Sequence, residues 1–184
     1  MSLTIQDLER LQEKLQESDL DYQLELQDGN IVVMEPSDIE SSEIGAEFIR
    51  LLGNWVKPHR LGRVFDSSGG FIMSNTDLRA LDVSFVSALR LRKTVRDFAK
   101  LVPDLVVEIK SKSDRIRPLE EKIQLFLTLG ARVGRLIDPD QLTCTVYRPS
   151  SESVVLADED KLTIPELFPG WEISISQLWP PVFE

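Results

Sequence analysis

The chain has 184 residues, 42% apolar and 28% charged, which suits one globular domain (residues 1–184) with a closed core. A single cysteine, Cys144, and a single histidine, His59, exclude an internal disulfide and any cysteine- or histidine-rich metal site, and leave a Ser-His-Asp triad only one residue to rest on. A net charge of −10 excludes nucleic-acid binding through the overall field, so such binding needs a local basic surface or metal ions at the site.

The first residues, MSLTIQDLERLQEKLQE, contain no apolar signal core, and no run is long enough to span a bilayer, so a cytoplasmic protein without a membrane partner is expected. Residues 1–18 read as an N-terminal helix: Ile5, Leu8, Leu11 and Leu15 share a face, and Thr4 with Asp7 fits a capping box. Tyr22 to Gln27 and Asn30 to Met34 flank Asp28-Gly29 and predict a hairpin. Ser37 with Glu40 fits a second capping box, and Ile44, Phe48, Leu51, Leu52 and Trp55 continue at helical spacing until Pro58. Strands are predicted over Arg63 to Asp66, Gly70 to Met73 and Leu81 to Val86, and Arg90 to Lys100 reads as polar with a short helix as one option. Asp104 to Lys110 (DLVVEIK) is the clearest strand. Pro118 suits the first turn of an amphipathic helix carrying Leu119, Ile123, Phe126 and Leu127, which Gly130 ends. Arg132 to Ile137 and Leu142 to Arg148 predict two more strands, followed by a strand or two and a Pro-rich close. This order gives a mixed α/β (α+β) fold rather than a doubly wound series.

Period two along DLVVEIK places Leu105, Val107 and Ile109 on one face, and Asp104, Val106, Glu108 and Lys110 on the other. Alone, Glu108 and Lys110 read as an i, i+2 ion pair on a surface strand, and two further acidic-x-Lys triplets occur, at Glu120/Lys122 and Glu159/Lys161. The surroundings are apolar, however, and a charged pair in a buried strand is costly without partners or a task. Asp82 also stands alone in the strand-like run Leu81 to Val86. Two carboxylates on neighbouring strands plus a lysine suit phosphate hydrolysis on Mg²⁺, a hard cation that keeps waters and phosphate oxygens among its ligands.

Those runs, with the stretch from Ser111 to Arg115, Lys122, and Gly130-Ala131-Arg132 through Ile137-Asp138-Pro139, resemble the Uma-type restriction endonuclease family of the PD-(D/E)xK superfamily. The resemblance takes in Gly53 to Val56, Leu61 to Phe65 and Tyr147-Arg148-Pro149, and covers roughly residues 20–180. It implies a restriction-endonuclease-like central mixed sheet flanked by helices, with a site at a fork between strands. It also implies a DNA phosphodiester endonuclease using Mg²⁺ or Mn²⁺, with Asp82, Glu108 and Glu43 as metal ligands and Lys110 assisting the attacking water. Lys122 is the candidate for a helix-borne lysine in the same role, and the choice between Lys110 and Lys122 stays open. Leu81 stands where the superfamily motif has proline.

Bland readings sit beside several of these residues. Glu43 and Glu47 are spaced as a solvated helix face, and Asp114 with Arg115 and Arg117 as a loop salt bridge or as phosphate contacts. Trp55, Trp171 and Trp179 read as core or interface aromatics, His59 as a surface residue and Cys144 as a buried small hydrophobe. Two alternatives to a DNA nuclease follow: a non-catalytic binding or assembly module, favoured by the charge of −10, and a small-molecule phosphohydrolase. Cutting two strands would need two sites, which makes a homodimer an expectation.

Overall fold

The computed structural model describes residues 2–183. Helix α1 (Ile5–Glu17) starts at Thr4, whose side chain accepts from the Asp7 amide while the Asp7 carboxylate accepts from the Thr4 amide. This is the expected capping box, and it satisfies two donors that a helix start leaves free. Strands β1 (Leu24–Gln27) and β2 (Asn30–Val33) form the expected hairpin. Asp28 and Gly29 both take positive φ, 49° and 74°, as a two-residue turn matched to the strand twist requires.

Helix α2 (Ile39–Val56) is capped by Asp38 through the Ser41 amide, one residue later than the expected Ser37 cap. Asp38 also accepts from the Lys112 amide at 2.7 Å, tying the helix start to the loop that precedes the third helix. A middle group of strands follows: β3 (Gly62–Phe65), β4 (Phe71–Ile72), β5 (Leu78–Arg79) and β6 (Val83–Ser87). The two-residue β5 was not expected, and residues 90–100 form turns and a bridge from Ala99 to Phe71 instead of a helix. Strand β7 (Leu105–Ile109), helix α3 (Ile116–Thr128), and strands β8 (Val133–Asp138) and β9 (Thr143–Tyr147) match the expected order. The tail holds β10 (Val154–Leu156), β11 (Lys161–Thr163), β12 (Glu172–Ser174) and a short 3-10 turn at Ile175–Leu178.

Six strands make the main mixed sheet in the order β10-β9-β8-β7-β6-β3, in which only β7 and β8 run parallel, joined by α3. Both faces of β7 are covered. Leu105, Val107 and Ile109 pack with Ile44, Phe48 and Leu52 of α2 and with the C-terminal Phe168 and Trp171. Val106 packs on the opposite face with Ile123 and Phe126 of α3. Each such fully buried side chain contributes about 1.5–3 kcal/mol, so two-sided coverage holds β7 firmly in the sheet. A second sheet, β2-β1-β5-β4, is roofed by α1, with Leu8 packed against Leu24, Leu26 and Leu78. The chain crosses from this small sheet to the main one at Ala80–Asp82, between β5 and β6.

Candidate functional site

That crossing builds the site. Val83 pairs with Val107, so Asp82 lies one residue beyond the pair, opposite Glu108. Val83 and Val107 belong to the α2-side core, and by alternation Asp82 and Glu108 face the α3 side. Asp82 is fixed by the Ile109 amide, which donates to its Oδ2 at 2.7 Å. Helix α3 lies over this face, and Lys122 projects from it to Glu108, with Nζ 2.9 Å from Oε1. This ammonium is the polar partner of the buried Glu108 Oε1.

A fourth group comes from the small sheet. Glu25 of β1 is 1% exposed; its Oε1 accepts from the Ala80 amide at 2.7 Å and its Oε2 from Gln27 at 2.8 Å. Glu25, Asp82 and Lys122 line one inner cavity of about 120 Å³. Asp82, Pro36, Ser37 and Ser67 are shared with an outer cavity of about 530 Å³ that runs along α2 past Ser41, Gly45 and Ile49. The site is thus a cleft at the junction of the two sheets, open on the α2 side and closed inward by Lys122.

One ammonium faces three carboxylates, and the proton affinities follow from that imbalance. Burial pushes the Glu108 carboxyl up to about 7; Lys122 works against this and Asp82 reinforces it. Asp82 is likewise raised by burial, despite the Ile109 amide and Lys122. Burial acts to lower Lys122, but Glu108, Glu25 and Asp82 together outweigh it and hold its ammonium above the ordinary lysine value. The site therefore keeps its cation and is short of positive charge.

Of the expected residues, Asp82, Glu108 and Lys122 come together. Lys110 does not join them. It follows the end of β7 and its ammonium bonds Asp140 in the β8–β9 turn, which raises its proton affinity. Glu43 is exposed on another side of α2, lining a cavity with Glu47, Arg50 and Trp179. Arg117 pairs with Glu121 on the surface, and Asp114 accepts from the Ser111 amide and hydroxyl. His59 is an exposed residue whose ring stacks on Trp55, and Cys144 is buried, its thiol pushed up to about 11 by that burial. Glu25 went unrecognised in the sequence: on a four-residue hairpin strand it looks like any solvent-facing glutamate, and its partner is 55 positions away. Among the described residues, no three His, Cys, Asp or Glu side chains gather as a metal-holding group. Asp82 lines both cavities of the cleft, and Glu108 lies buried behind it against Lys122.

The arrangement has relatives. The Uma2 family model, described as "Putative restriction endonuclease", matches residues 5–176. The crystal structure of a putative nuclease belonging to DUF820 from Anabaena variabilis ATCC 29413 superposes with a TM-score of 0.78 at 24% identity, covering 88% of this chain and 94% of that one. The cryo-EM structure of a DrdV–DNA complex overlaps 62% of this chain and 12% of its own, at 11% identity and a TM-score of 0.33, too slight to carry an argument. No curated protein matches the chain. With the family model spanning nearly the whole sequence and the sheet arranged as in a solved nuclease-fold relative, this chain belongs to the Uma2 restriction endonuclease family.

Proposed function

We propose that the protein is a metal-dependent endonuclease that hydrolyses DNA phosphodiester bonds in the cleft between its two sheets. The observation that carries the reading is the meeting of Asp82, Glu108 and Lys122 from three separate elements, with Asp82 and Lys122 lining one half-closed polar cleft and Glu108 buried behind them against Lys122. Asp82 and Glu108 fit a hard divalent cation on two counts. Both offer carboxylate oxygens, and the polar partner of the buried Glu108 Oε1 is a side-chain ammonium, Lys122 at 2.9 Å, which can move aside for a cation. Two protein carboxylates suffice for Mg²⁺, which keeps waters and substrate phosphate oxygens as its other ligands. When bound, the ion supplies Lewis-acid activation of the phosphate and the attacking water.

The chain's own residues supply the rest. The Ile109 amide and the stiff β7 hold Asp82 and Glu108 in fixed positions, so little reorganisation is needed when substrate arrives. Lys122, held protonated by its three carboxylate neighbours, offsets the charge that grows on phosphorus as water adds and the leaving oxygen departs. Glu25 positions Lys122 electrostatically from the opposite wall while anchoring the Ala80 amide beside Asp82. Of the two candidate lysines, Lys122 takes the role and Lys110 has no part in it.

A second reading, a nuclease fold retained for binding, is favoured by the near-complete burial of Glu108, 3% exposed and satisfied in charge by Lys122. Cleavage of supercoiled plasmid with Mg²⁺ or Mn²⁺ at low salt separates the two. Metal-dependent nicking that Glu108→Ala and Lys122→Ala both lose, and Lys110→Ala keeps, supports the nuclease. Absence of nicking together with absence of metal binding by calorimetry refutes it.

A further inference from the structure

The acidic balance of the chain hides a local reversal of charge. Residues 57–63 and 88–100 together hold eight of the 21 Lys and Arg and one acidic residue, Asp97. The remaining chain has thirteen cations against thirty carboxylates. The two segments are neighbours: Gly62 pairs with Ser87, and the Ala88 amide donates to the Leu61 carbonyl at 2.9 Å. Arg63 fastens them by donating to the Leu91 and Arg92 carbonyls at 3.3 and 3.1 Å. The second segment is anchored at its far end, where the Ala99 amide donates to the Gly70 carbonyl and the Ala99 carbonyl accepts from Ile72.

Six side chains on this ridge, Lys57, Arg60, Arg92, Lys93, Arg96 and Lys100, are exposed, and none has a salt-bridge partner among the described residues. Elsewhere the protein neutralises most of its cations: Arg10, Arg50, Arg79, Lys110, Lys122, Arg148 and Lys161 all sit against carboxylates. A protein with 31 carboxylates that leaves six cations together without one holds a surface suited to an anion from outside.

We propose that this ridge is a phosphate-backbone contact surface for DNA, separate from the cleft. The identification of the polyanion as DNA rests on the nuclease reading above. The ridge starts at the far end of β6 from Asp82, at Ser87, and its second segment runs back to Gly70 and to Ile72 of the small sheet. Five residue steps along the strand, at about 3.3 Å each, put that start about 17 Å from Asp82. That span is about five phosphates along one strand, so one duplex can rest on the ridge while a phosphate enters the cleft. The ridge carries affinity without base readout, because backbone contacts position nucleic acid but hold no sequence information. It also removes the objection raised by the net charge, since repulsion from the rest of the surface is offset where the duplex touches the protein.

The test is binding of a fluorescent 20-base-pair duplex in EDTA, followed by anisotropy through a series of salt concentrations. One variant carries Arg60→Gln, Arg92→Gln, Lys93→Gln and Arg96→Gln. A charge-matched control carries Arg10→Gln, Lys14→Gln, Arg117→Gln and Lys161→Gln, from other faces. Removing one cation from a phosphate makes the slope of log K against log salt shallower by about 0.9. The ridge variant is therefore expected to lose up to about 3.6 from the slope, and the control none. Equal slopes for ridge variant and wild type would overturn the proposal, as would wild-type protein that binds no duplex at all. Equal or tighter binding of poly-glutamate would overturn it too, by assigning the ridge to an acidic protein. If the ridge variant loses its slope but the wild type cuts no DNA with Mg²⁺, the contact surface stands and the nuclease reading falls. Matching melting temperatures for the two variants keep a folding defect out of the comparison.

Discussion

Raising the pH of the metal-free protein from 5.5 to 8 is expected to weaken it through one side chain, Glu108. Its carboxyl titrates near 7 in the folded chain, against an ordinary value of 4.5, because burial disfavours the charged form more than Lys122 restores it. Between those two values the folded state binds the proton and the unfolded state does not, so stability falls as pH rises. The full difference is roughly 3 kcal/mol, at about 1.4 kcal/mol for each pH unit, and about 2 kcal/mol of it falls between pH 5.5 and 8. Asp82, also raised by burial, acts in the same direction, whereas Asp38 and Glu47, held low by hydrogen bonds, finish titrating below this window. Urea unfolding in EDTA measures the effect, with a fall in midpoint of about 1 M expected for a urea dependence near 2 kcal/mol per molar. Glu108→Gln removes the titrating group while leaving Lys122 beside Asp82 and Glu25, so its curve should be nearly flat. A wild-type midpoint that does not move, or a Glu108→Gln midpoint that falls as far, would refute the reasoning.

Other expectations follow from single contacts. Lys122→Met is expected to lower plasmid cleavage by about 10²–10³-fold, whereas Lys110→Met, which breaks the contacts to Asp140 and the Ser111 carbonyl, should cleave nearly as the wild type does. Glu25→Ala strands the buried Ala80 amide and should lower unfolding free energy by about 1–3 kcal/mol, most of it recovered in Glu25→Gln; urea titration of both variants checks this. Gly134→Ala would drive a Cβ to 2.3 Å from Ile123 Cγ2, forcing α3 off β8, and should cost about 1–3 kcal/mol by the same assay. Thr4→Ala removes the α1 cap and should cost about 1 kcal/mol, read as a melting temperature lower by about 2–4 °C.

What could be read from the sequence was mostly local. The Thr4–Asp7 box, the Asp28-Gly29 turn and the apolar run of β7 each depend on residues a few positions apart, and the structure has all three. Asp82 and Glu108 were legible because isolated acids in apolar strands are unusual. The lysine was harder to choose for a physical reason. Period two puts Lys110 on the face of Glu108, but β7 stops at Ile109, and a long side chain at a strand end can turn to the nearest carboxylate, Asp140. Lys122 depends on how α3 docks over the sheet, which helical spacing alone does not fix. Glu25 and the two-residue β5 depend on each other across more than fifty positions, so neither carries a local signal. The option of a helix over residues 90–100 failed because that segment's contacts are to Arg63, Gly70 and Ile72 rather than to itself.

The seam inside the small sheet, between the β1–β2 hairpin and β5, bears on how the cleft keeps its shape. β1 meets β5 through one registered pair, Leu26 with Leu78, while the strands beneath Asp82 and Glu108 are joined along their length. The inner wall of the cleft, with Gln23, Glu25 and Met34, therefore belongs to a weakly fastened hairpin. Segments with few cross-links open at a lower free energy than the whole molecule. Fluctuation at this seam would take away Glu25 and bare Asp82 while the six-stranded sheet stayed intact. The chemistry at Asp82 is thereby coupled to a local equilibrium of the first thirty-odd residues, and amide exchange in β1 should report the fraction of molecules whose cleft is whole.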